Sequence, residues 1–172
     1  MNLANFGLMF ANTCPAFFPN FVPSISNEDV MNINNNKILI TGGASGIGLG
    51  LTERFVKENN TVLICGRRED ALKEVSDKFP SVIRRVCDLS LPEEREALYQ
   101  WISDEHSDLN VLVNNAGIQQ WMSVSDDDFF QRAKNELTVN IEAPLHLILC
   151  HGRCILRHKY PLKIQSSRSS QV

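Results

Sequence analysis

Residues Lys37–Gly50, KILITGGASGIGLG, decide the fold of this chain. Ile38–Ile40 is a short apolar run, typical of a strand that is buried on both faces. A helical pattern then starts near Ile47, and a spacing of four predicts the face that packs inward: Ile47, Leu51 and Phe55. Glycines between strand and helix allow close backbone approach, and the helix N-terminus offers unpaired N–H groups. The stretch therefore predicts a site for a nucleotide pyrophosphate.

Composition places this motif in one ordinary globular domain. The chain has 172 residues, of which 43% are hydrophobic and 22% charged, and its net charge of −3 indicates neither nucleic acid nor membrane as a partner. The five cysteines are an odd set, and two of them fall inside apparent strands: Cys14, Cys65, Cys87, Cys150 and Cys154. An odd number of cysteines, two of them in apparent strands, favours reduced thiols over a disulfide framework. No apolar run approaches the ~20 residues of a membrane span. We expect a soluble α/β protein of the cytoplasm.

The two ends of the chain differ from its middle. Residues 1–30 contain three prolines and no Lys or Arg, so we predict an unstructured extension over residues 1–36. Residues 151–172 contain five Lys or Arg and no acid, which predicts a basic, disordered tail after a compact part at residues 37–150. A cysteine and histidine group lies at this boundary: Cys150, His151, Cys154 and His158. Its spacing matches no closed zinc pattern, so we predict no metal site.

Strands and helices alternate between these ends. Further strands are predicted at 61–65, 82–87 and 111–113, and helices at 69–79, from a capping box at Ser90-x-x-Glu93, and from Ser125. Such alternation predicts a Rossmann-type, doubly wound parallel sheet, here truncated after about four strands. Polar clusters follow the four strands at Gly42–Gly48, Gly66–Arg68, Asp88 and Asn114–Gly117. Because ligands bind beyond the carboxyl ends of such strands, these clusters mark one candidate site.

Four features together resemble the short-chain dehydrogenase/reductase family, with the greatest likeness to small DltE-type oxidoreductases. They are T-G-x-x-x-G-I-G at Thr41–Gly48, Asp88, N-N-A-G at Asn114–Gly117, and Asn140, within a likeness that covers residues 37–149. The resemblance implies a cofactor pyrophosphate surrounded by Gly42, Gly46, Ile47 and Gly48. It also implies that Asp88 lies near the adenine and that the floor beside the ribose is shaped by Asn114, Ala116 and Gly117.

The residues after the second strand indicate which cofactor is preferred. A site that prefers NAD places a carboxylate there, whereas this chain has Arg67 and Arg68, whose guanidinium groups match phosphate oxygens. We therefore predict NADP(H), held at the 2′-phosphate by Arg67 with Arg68 behind it. Ser45, also counted with the cofactor-binding residues, is neutral where many NADP-using relatives carry a basic residue. NAD(H), with a merely solvated arginine pair, stays open as the alternative.

Asn140 is the one candidate catalytic residue. Pro144 has no N–H and cannot bond the carbonyl of Asn140 four residues earlier, so the helix should bend there. In the family, the matching Asn holds a water in a proton relay through its main chain. A simple kink in a packing helix is the structural alternative.

The resemblance stops before the family's catalytic Ser and Tyr-x-x-x-Lys. Tyr160 and Lys163 are three residues apart and follow Asn140 too closely to replace that pair. We therefore expect a fragment of a truncated, spliced or frameshifted product that binds NADP(H) without completing catalysis. An intact relative would transfer hydride between NADPH and a carbonyl or alcohol substrate. The alternative is a non-catalytic module that senses NADP(H) or pairs with a full-length relative, which leaves homo- and hetero-oligomers open.

Overall fold

The structure, a computed structural model, describes residues 33–159, with side chains as far as His151. Its strands are β1 Lys37–Thr41, β2 Thr61–Gly66, β3 Ile83–Val86 and β4 Val111–Val113. Its helices are α1 Gly46–Lys57, α2 Glu69–Lys78, α3 Pro92–Glu105, α4 Phe129–Leu137 and α5 Ala143–Lys159, with a π-helical segment at Thr138–Glu142. Strands and helices alternate through β4, as the sequence predicted.

The four strands form one parallel sheet in the order β3-β2-β1-β4. In its centre, Ile38 of β1 lies beside Val62 of β2 and Val111 of β4, and Leu63 of β2 lies beside Ile83 of β3. Because all strands run the same way, their carboxyl ends meet at one edge of the sheet. The predicted α/β, Rossmann-type fold is confirmed.

The core lies in two layers, one on each face of the sheet. Successive strand residues point to opposite faces, so Leu39 and Leu63 join α3 and α5 on one side. Ile38 and Ile64 join α1 and α2 on the other side. Among the described residues, no helix is long and apolar enough to cross a membrane.

The inward face of α1 differs from the prediction. Ile47 is 79% exposed, and the buried residues of this helix are Gly48 and Thr52. Leu51 and Phe55 do pack against the core. The first turn of α1 lies too close to the Gly42 carbonyl for a side chain to fit at position 48, so a glycine faces inward and Ile47 points outward.

The predicted capping box at Ser90 and Glu93 is wrong. The helix begins at Pro92, its N-cap is Leu91, and no side chain caps it. The backbone N–H and the hydroxyl of Ser90 donate instead to Asp88 Oδ1. The carboxylate that accepts a backbone N–H at this turn belongs to Glu94, not to Glu93, and the N–H is that of Asp88.

Two helix boundaries also differ from the prediction. α4 begins at Phe129, not near Ser125, because the acidic residues before it form a turn in which Asp126 and Asp128 pair with Arg132. α5 runs to Lys159, past the boundary expected at residue 150.

The bend predicted at Asn140 and Pro144 corresponds to the π-helical segment, where the Ala143 N–H donates to Thr138 O, five residues earlier. Residues 1–32 and 160–172, which include Tyr160, Lys163 and most of both predicted ends, lie outside the described residues.

Candidate functional site

A cavity of about 450 Å³ lies at the carboxyl edge of the sheet. It is lined by Gly42, Ser45, Ile47, Gly66, Arg67, Arg68, Cys87, Asp88, Leu89, Asn115, Ala116, Gly117, Ile118 and Val139. These residues follow all four strands, with one further residue from the π-helical segment. The size is within the range of small-molecule sites.

The turn between β1 and α1 needs its glycines for two different reasons. Gly42 and Gly46 have φ of 67° and 53°, a left-handed conformation that side chains disfavour. Gly48 is required by space, since a Cβ there would lie 2.2 Å from Gly42 O and 2.6 Å from Asn115 Nδ2. The tight turn brings the N-terminus of α1 to the cavity, where its free N–H groups favour an anionic ligand.

Thr41 and Asn115 fix this turn to the end of β4. The buried Thr41 Oγ1 accepts the backbone N–H groups of Asn115, at 3.0 Å, and Ala116, at 2.9 Å. Asn115 Nδ2 donates in return to Thr41 O at 2.9 Å. These bonds hold the floor of the cavity, Ala116 and Gly117, against the glycine turn.

The charges in the cavity lining are two arginines and one carboxylate. Arg67 and Arg68 are exposed, follow β2 directly, and take part in none of the ion pairs found among the described residues. The next carboxylate along the chain, Glu69, lies 3.9 Å from Arg84. The β2 end of the cavity is therefore positive.

The β3 end of the cavity is a tight polar turn. Asp88 Oδ1 accepts the N–H and hydroxyl of Ser90 at 2.9 and 2.8 Å, which orients the carboxylate. Burial, followed by the charges of Glu94 and Asp88, raises the pKa of the Cys87 thiol to about 12. Cys87 therefore stays a neutral thiol at physiological pH, so it is a wall of the cavity and not a nucleophile.

Asn140 lies on the π-helical segment and holds the strand-end loop. Its Oδ1 accepts the Ile118 N–H at 2.8 Å, and its Nδ2 donates to Ile118 O at 2.7 Å. A Cβ on Gly117 would come 3.3 Å from Asn140 Oδ1. The side chain of Asn140 thus positions the loop at Ile118.

The structure brings most of the predicted cofactor-binding residues together. Those in the lining are Gly42, Ser45, Ile47, Arg67, Arg68, Asp88, Ala116 and Gly117. Three others are near it but outside the lining: Gly46 shapes the turn, Gly48 lies beneath Gly42, and Asn114 is exposed at the end of β4. Gly66 and Asn115 also line the cavity and fell within the polar clusters predicted at the strand ends, although no separate role was assigned to them. Sequence reasoning missed Cys87, Leu89, Ile118 and Val139, for which no local signal was present.

A separate cluster lies between α3 and α5, where ligand atoms of Glu96, His146 and Cys150 come within 4.8 Å of one another. Arg95 Nε donates to His146 Nδ1 at 3.0 Å, so the proton of the neutral ring is on Nε2. A guanidinium and a protonated ring nitrogen both disfavour a divalent cation. The side chains of Cys154 and His158 lie outside the described residues.

Comparisons with known proteins extend this description. A family profile described as short chain dehydrogenase matches residues 36–158. The chain is 43% identical to the uncharacterized oxidoreductase DltE of Bacillus subtilis (strain 168), over 68% of this chain and 47% of that protein. It is 33% identical to a 3beta-hydroxysteroid dehydrogenase of Mediterraneibacter gnavus, over 66% of this chain and 42% of that one.

Among solved structures, the L-sorbose reductase of Gluconobacter frateurii, complexed with NADPH and L-sorbose, is similar with a TM-score of 0.67 and 25% identity. That match covers 74% of this chain and 50% of the reductase. The chain therefore spans about half the length of the curated relatives it matches.

Proposed function

Since the chain belongs to the short-chain dehydrogenase family, whose members are oxidoreductases that bind a nucleotide cofactor, we propose that its cavity binds NADP(H). The observation that carries the proposal is the cavity itself. The glycine turn, the N-terminus of α1 and two arginines without an ion pair among the described residues surround one space. Each of these features favours an anion.

The glycine turn is the proposed pyrophosphate site. Gly42 and Gly46 expose backbone, Ser45 adds a hydroxyl at the N-cap of α1, and Ile47 presents an exposed apolar side chain toward the same space. Gly48 permits the close approach of α1 to Gly42. In this arrangement, the helix N-terminus would stabilise the charge of a bound phosphate, and Ile47 would shield it from water.

The ends of β2, β3 and β4 are the proposed sites of the two nucleosides. Asp88, oriented by Ser90, would accept a hydrogen bond from the adenine amino group. Ala116 and Gly117 would form the floor beside the ribose, and the exposed Asn114 would lie at its edge. When bound, the nicotinamide supplies or accepts the hydride.

Arg67 is the proposed determinant of cofactor choice. A ribose 2′-phosphate carries two negative charges, and the nearest groups after β2 are Arg67 and Arg68, not a carboxylate. Arginine forms charge-assisted hydrogen bonds with phosphate oxygens. The structurally similar L-sorbose reductase is complexed with NADPH, which supports the same choice here.

We do not expect these 172 residues to turn over a carbonyl or alcohol substrate by themselves. The family's Ser and Tyr-x-x-x-Lys have no match in the sequence, and of the relay only Asn140 is present. The main-chain carbonyl of Asn140 would orient a relay water in a protein that supplies the other groups. Substrate reduction thus belongs to an intact relative.

The proposal is tested by titrating the purified chain with NADPH and NADH while following its unfolding. A ligand at 100 times its Kd raises the free energy of unfolding by about 2.7 kcal/mol. We expect this stabilisation with NADPH and a smaller one with NADH. Arg67→Ala should weaken NADPH about tenfold or more, because it removes a charge-assisted bond, and should change NADH less than twofold.

Arg54→Ala is the matched control, since Arg54 is an exposed arginine that pairs with Glu58 at the other end of α1. No stabilisation by either nucleotide would refute the proposed site. Equal loss of NADPH affinity in the Arg54 and Arg67 variants would refute the role of Arg67.

Exposed apolar side chains on α4, on α5 and on the π-helical segment between them favour a second candidate, a non-catalytic module that pairs with a full-length relative. They are Leu137, Ile141, Leu145, Ile148 and Leu149, each more than half exposed. β4 also lies at the edge of the four-stranded sheet. Light scattering after chromatography, with and without a full-length relative, tests this candidate, and a lone monomer in both samples would count against it.

A further inference from the structure

Arg95 is a charged residue in a place where the helix pattern calls for an apolar one. It lies on the inner face of α3 with Leu98 and Ile102, and only 2% of it is exposed. Arginine is almost never fully buried unless it is paired, and burial of an unpaired charge is strongly unfavourable. The partners of this guanidinium therefore show what it does.

The guanidinium bonds to three different parts of the chain. Nη1 donates to Leu89 O at 2.7 Å, Nε donates to His146 Nδ1 at 3.0 Å, and Nη2 pairs with Glu142 Oε1. A lysine carries its three donors on one nitrogen atom, whereas the planar guanidinium spreads its donors over three nitrogens and can therefore bond three separated acceptors. Arg95 thus joins the turn after β3 to the π-helical segment and to α5.

Two of these partners belong to walls of the cavity. Leu89 is itself a lining residue on the β3 side. Glu142 is on the π-helical segment together with Val139, which lines the cavity, and Asn140, which holds the Ile118 loop. The Arg95 bonds therefore connect the β3 wall of the cavity with the wall that carries Val139, although neither Arg95 nor Glu142 lines the cavity itself.

Buried charges are seldom the most stable choice even when they are paired, since apolar residues of similar volume often stabilise as well or better. Their best attested use is to fix one arrangement among several. We propose that Arg95 is a positioning residue that fixes the separation of the Leu89 and Val139 walls and so sets the affinity of the cavity for the nucleotide. This inference rests on the proposed binding of NADP(H).

The test uses the full chain and measures nucleotide affinity well below the melting temperature of each variant. Arg95→Met keeps the apolar stem but removes the three bonds, and we expect it to raise the Kd of NADPH and of NADH by the same factor, about tenfold. The ratio of the two Kd values should stay at the wild-type value, because the 2′-phosphate contacts are not touched. A change of less than twofold in both Kd values would overturn the proposal.

A second measurement needs no ligand. Hydrogen exchange of backbone amides should accelerate in residues 88–91 when Glu142→Met removes the carboxylate bonded to Arg95 Nη2, although Glu142 forms no hydrogen bond or ion pair with that turn among the described residues. This remote effect should disappear in the Arg95→Met background, because the coupling passes through the guanidinium. A merely local role of Glu142 would change exchange only in the π-helical segment, and that outcome would overturn the proposal.

Glu142→Met also covers the case in which Arg95→Met does not fold, since the Glu142 side chain is 58% exposed. The matched control is Arg132→Met, because Arg132 also bonds to a backbone carbonyl and to carboxylates, but in the turn before α4. It should leave both Kd values unchanged. Wild-type protein that binds neither nucleotide would refute the proposed function, and the exchange experiment would then decide the role of Arg95 by itself.

Discussion

Gly48 and Gly50 allow a sharp test of how the glycine turn is packed, because the same substitution in the same helix should have opposite effects. In Gly48→Ala the new Cβ would lie 2.2 Å from Gly42 O, whereas Cβ contacts below 3.0 Å essentially do not occur. The two atoms must therefore separate by about 0.8 Å, the difference between these distances. In Gly50→Ala, nothing lies within 4 Å of the new Cβ.

The turn resists that shift because it is bonded on two sides. The Gly42 N–H donates to Cys65 O at 2.8 Å, and Asn115 Nδ2 donates to Thr41 O at 2.9 Å. Overpacking costs about 1–3 kcal/mol, and each hydrogen bond lost adds about 1 kcal/mol. The higher helix propensity of alanine than of glycine stabilises the folded state by up to about 1 kcal/mol. We expect Gly48→Ala to lose about 2–3 kcal/mol and Gly50→Ala to gain up to about 1 kcal/mol.

Urea unfolding followed by circular dichroism measures both changes. With a slope of about 2 kcal/mol per molar urea, the two midpoints should differ by about 1–2 M. Gly48→Ala should also lose NADPH binding, because the displaced carbonyl enters the proposed pyrophosphate site. Equal midpoints for the two variants would refute the packing argument at Gly48.

Two further predictions concern buried polar groups. Burial, followed by the charge of His146, lowers the pKa of His151 from 6.5 to about 4. Between these two pH values the unfolded chain binds more protons than the folded one, so the free energy of unfolding falls as the pH falls. At pH 5 this loss of stability should be about 2 kcal/mol. Thermal unfolding at pH 7 and pH 5 tests this, and His151→Leu should lose less stability than wild type over that interval, while parallel losses would contradict it. Thr41→Val should destabilise by about 1–3 kcal/mol because two backbone N–H groups lose their acceptor, whereas Thr41→Ser should keep most of the stability in urea unfolding. Equal stability of the Val and Ser variants would show that the hydroxyl does not carry these bonds.

The sequence predicted the features that depend on near neighbours along the chain. The apolar runs of β1 and β2 and the helices after them follow local periodicity, and the polar residues at the strand ends follow from parallel topology. Most of the cavity lining could therefore be identified before its geometry was known. The choice of NADP(H) and the role of Asn140 stay predictions.

The features that were missed depend on distant partners. Ile47 points outward because the backbone of Gly42 comes too close to Gly48, which no periodicity reports. Arg95 is buried because Glu142 and His146, about 50 residues later, supply its acceptors. A charged residue on a helix is ordinarily expected to be exposed, so only the tertiary structure reveals this one.

The pairing of Thr41 with Asn115 and Ala116 also orders events during synthesis. These bonds join residues 74 and 75 positions apart, while β1 can pair with β2 as soon as residue 66 is available. At about 5–20 residues per second, the ribosome needs several seconds to add the intervening chain. Until then the nascent polypeptide can form at most a partial sheet, and the floor of the cavity can close only after residue 116 has emerged.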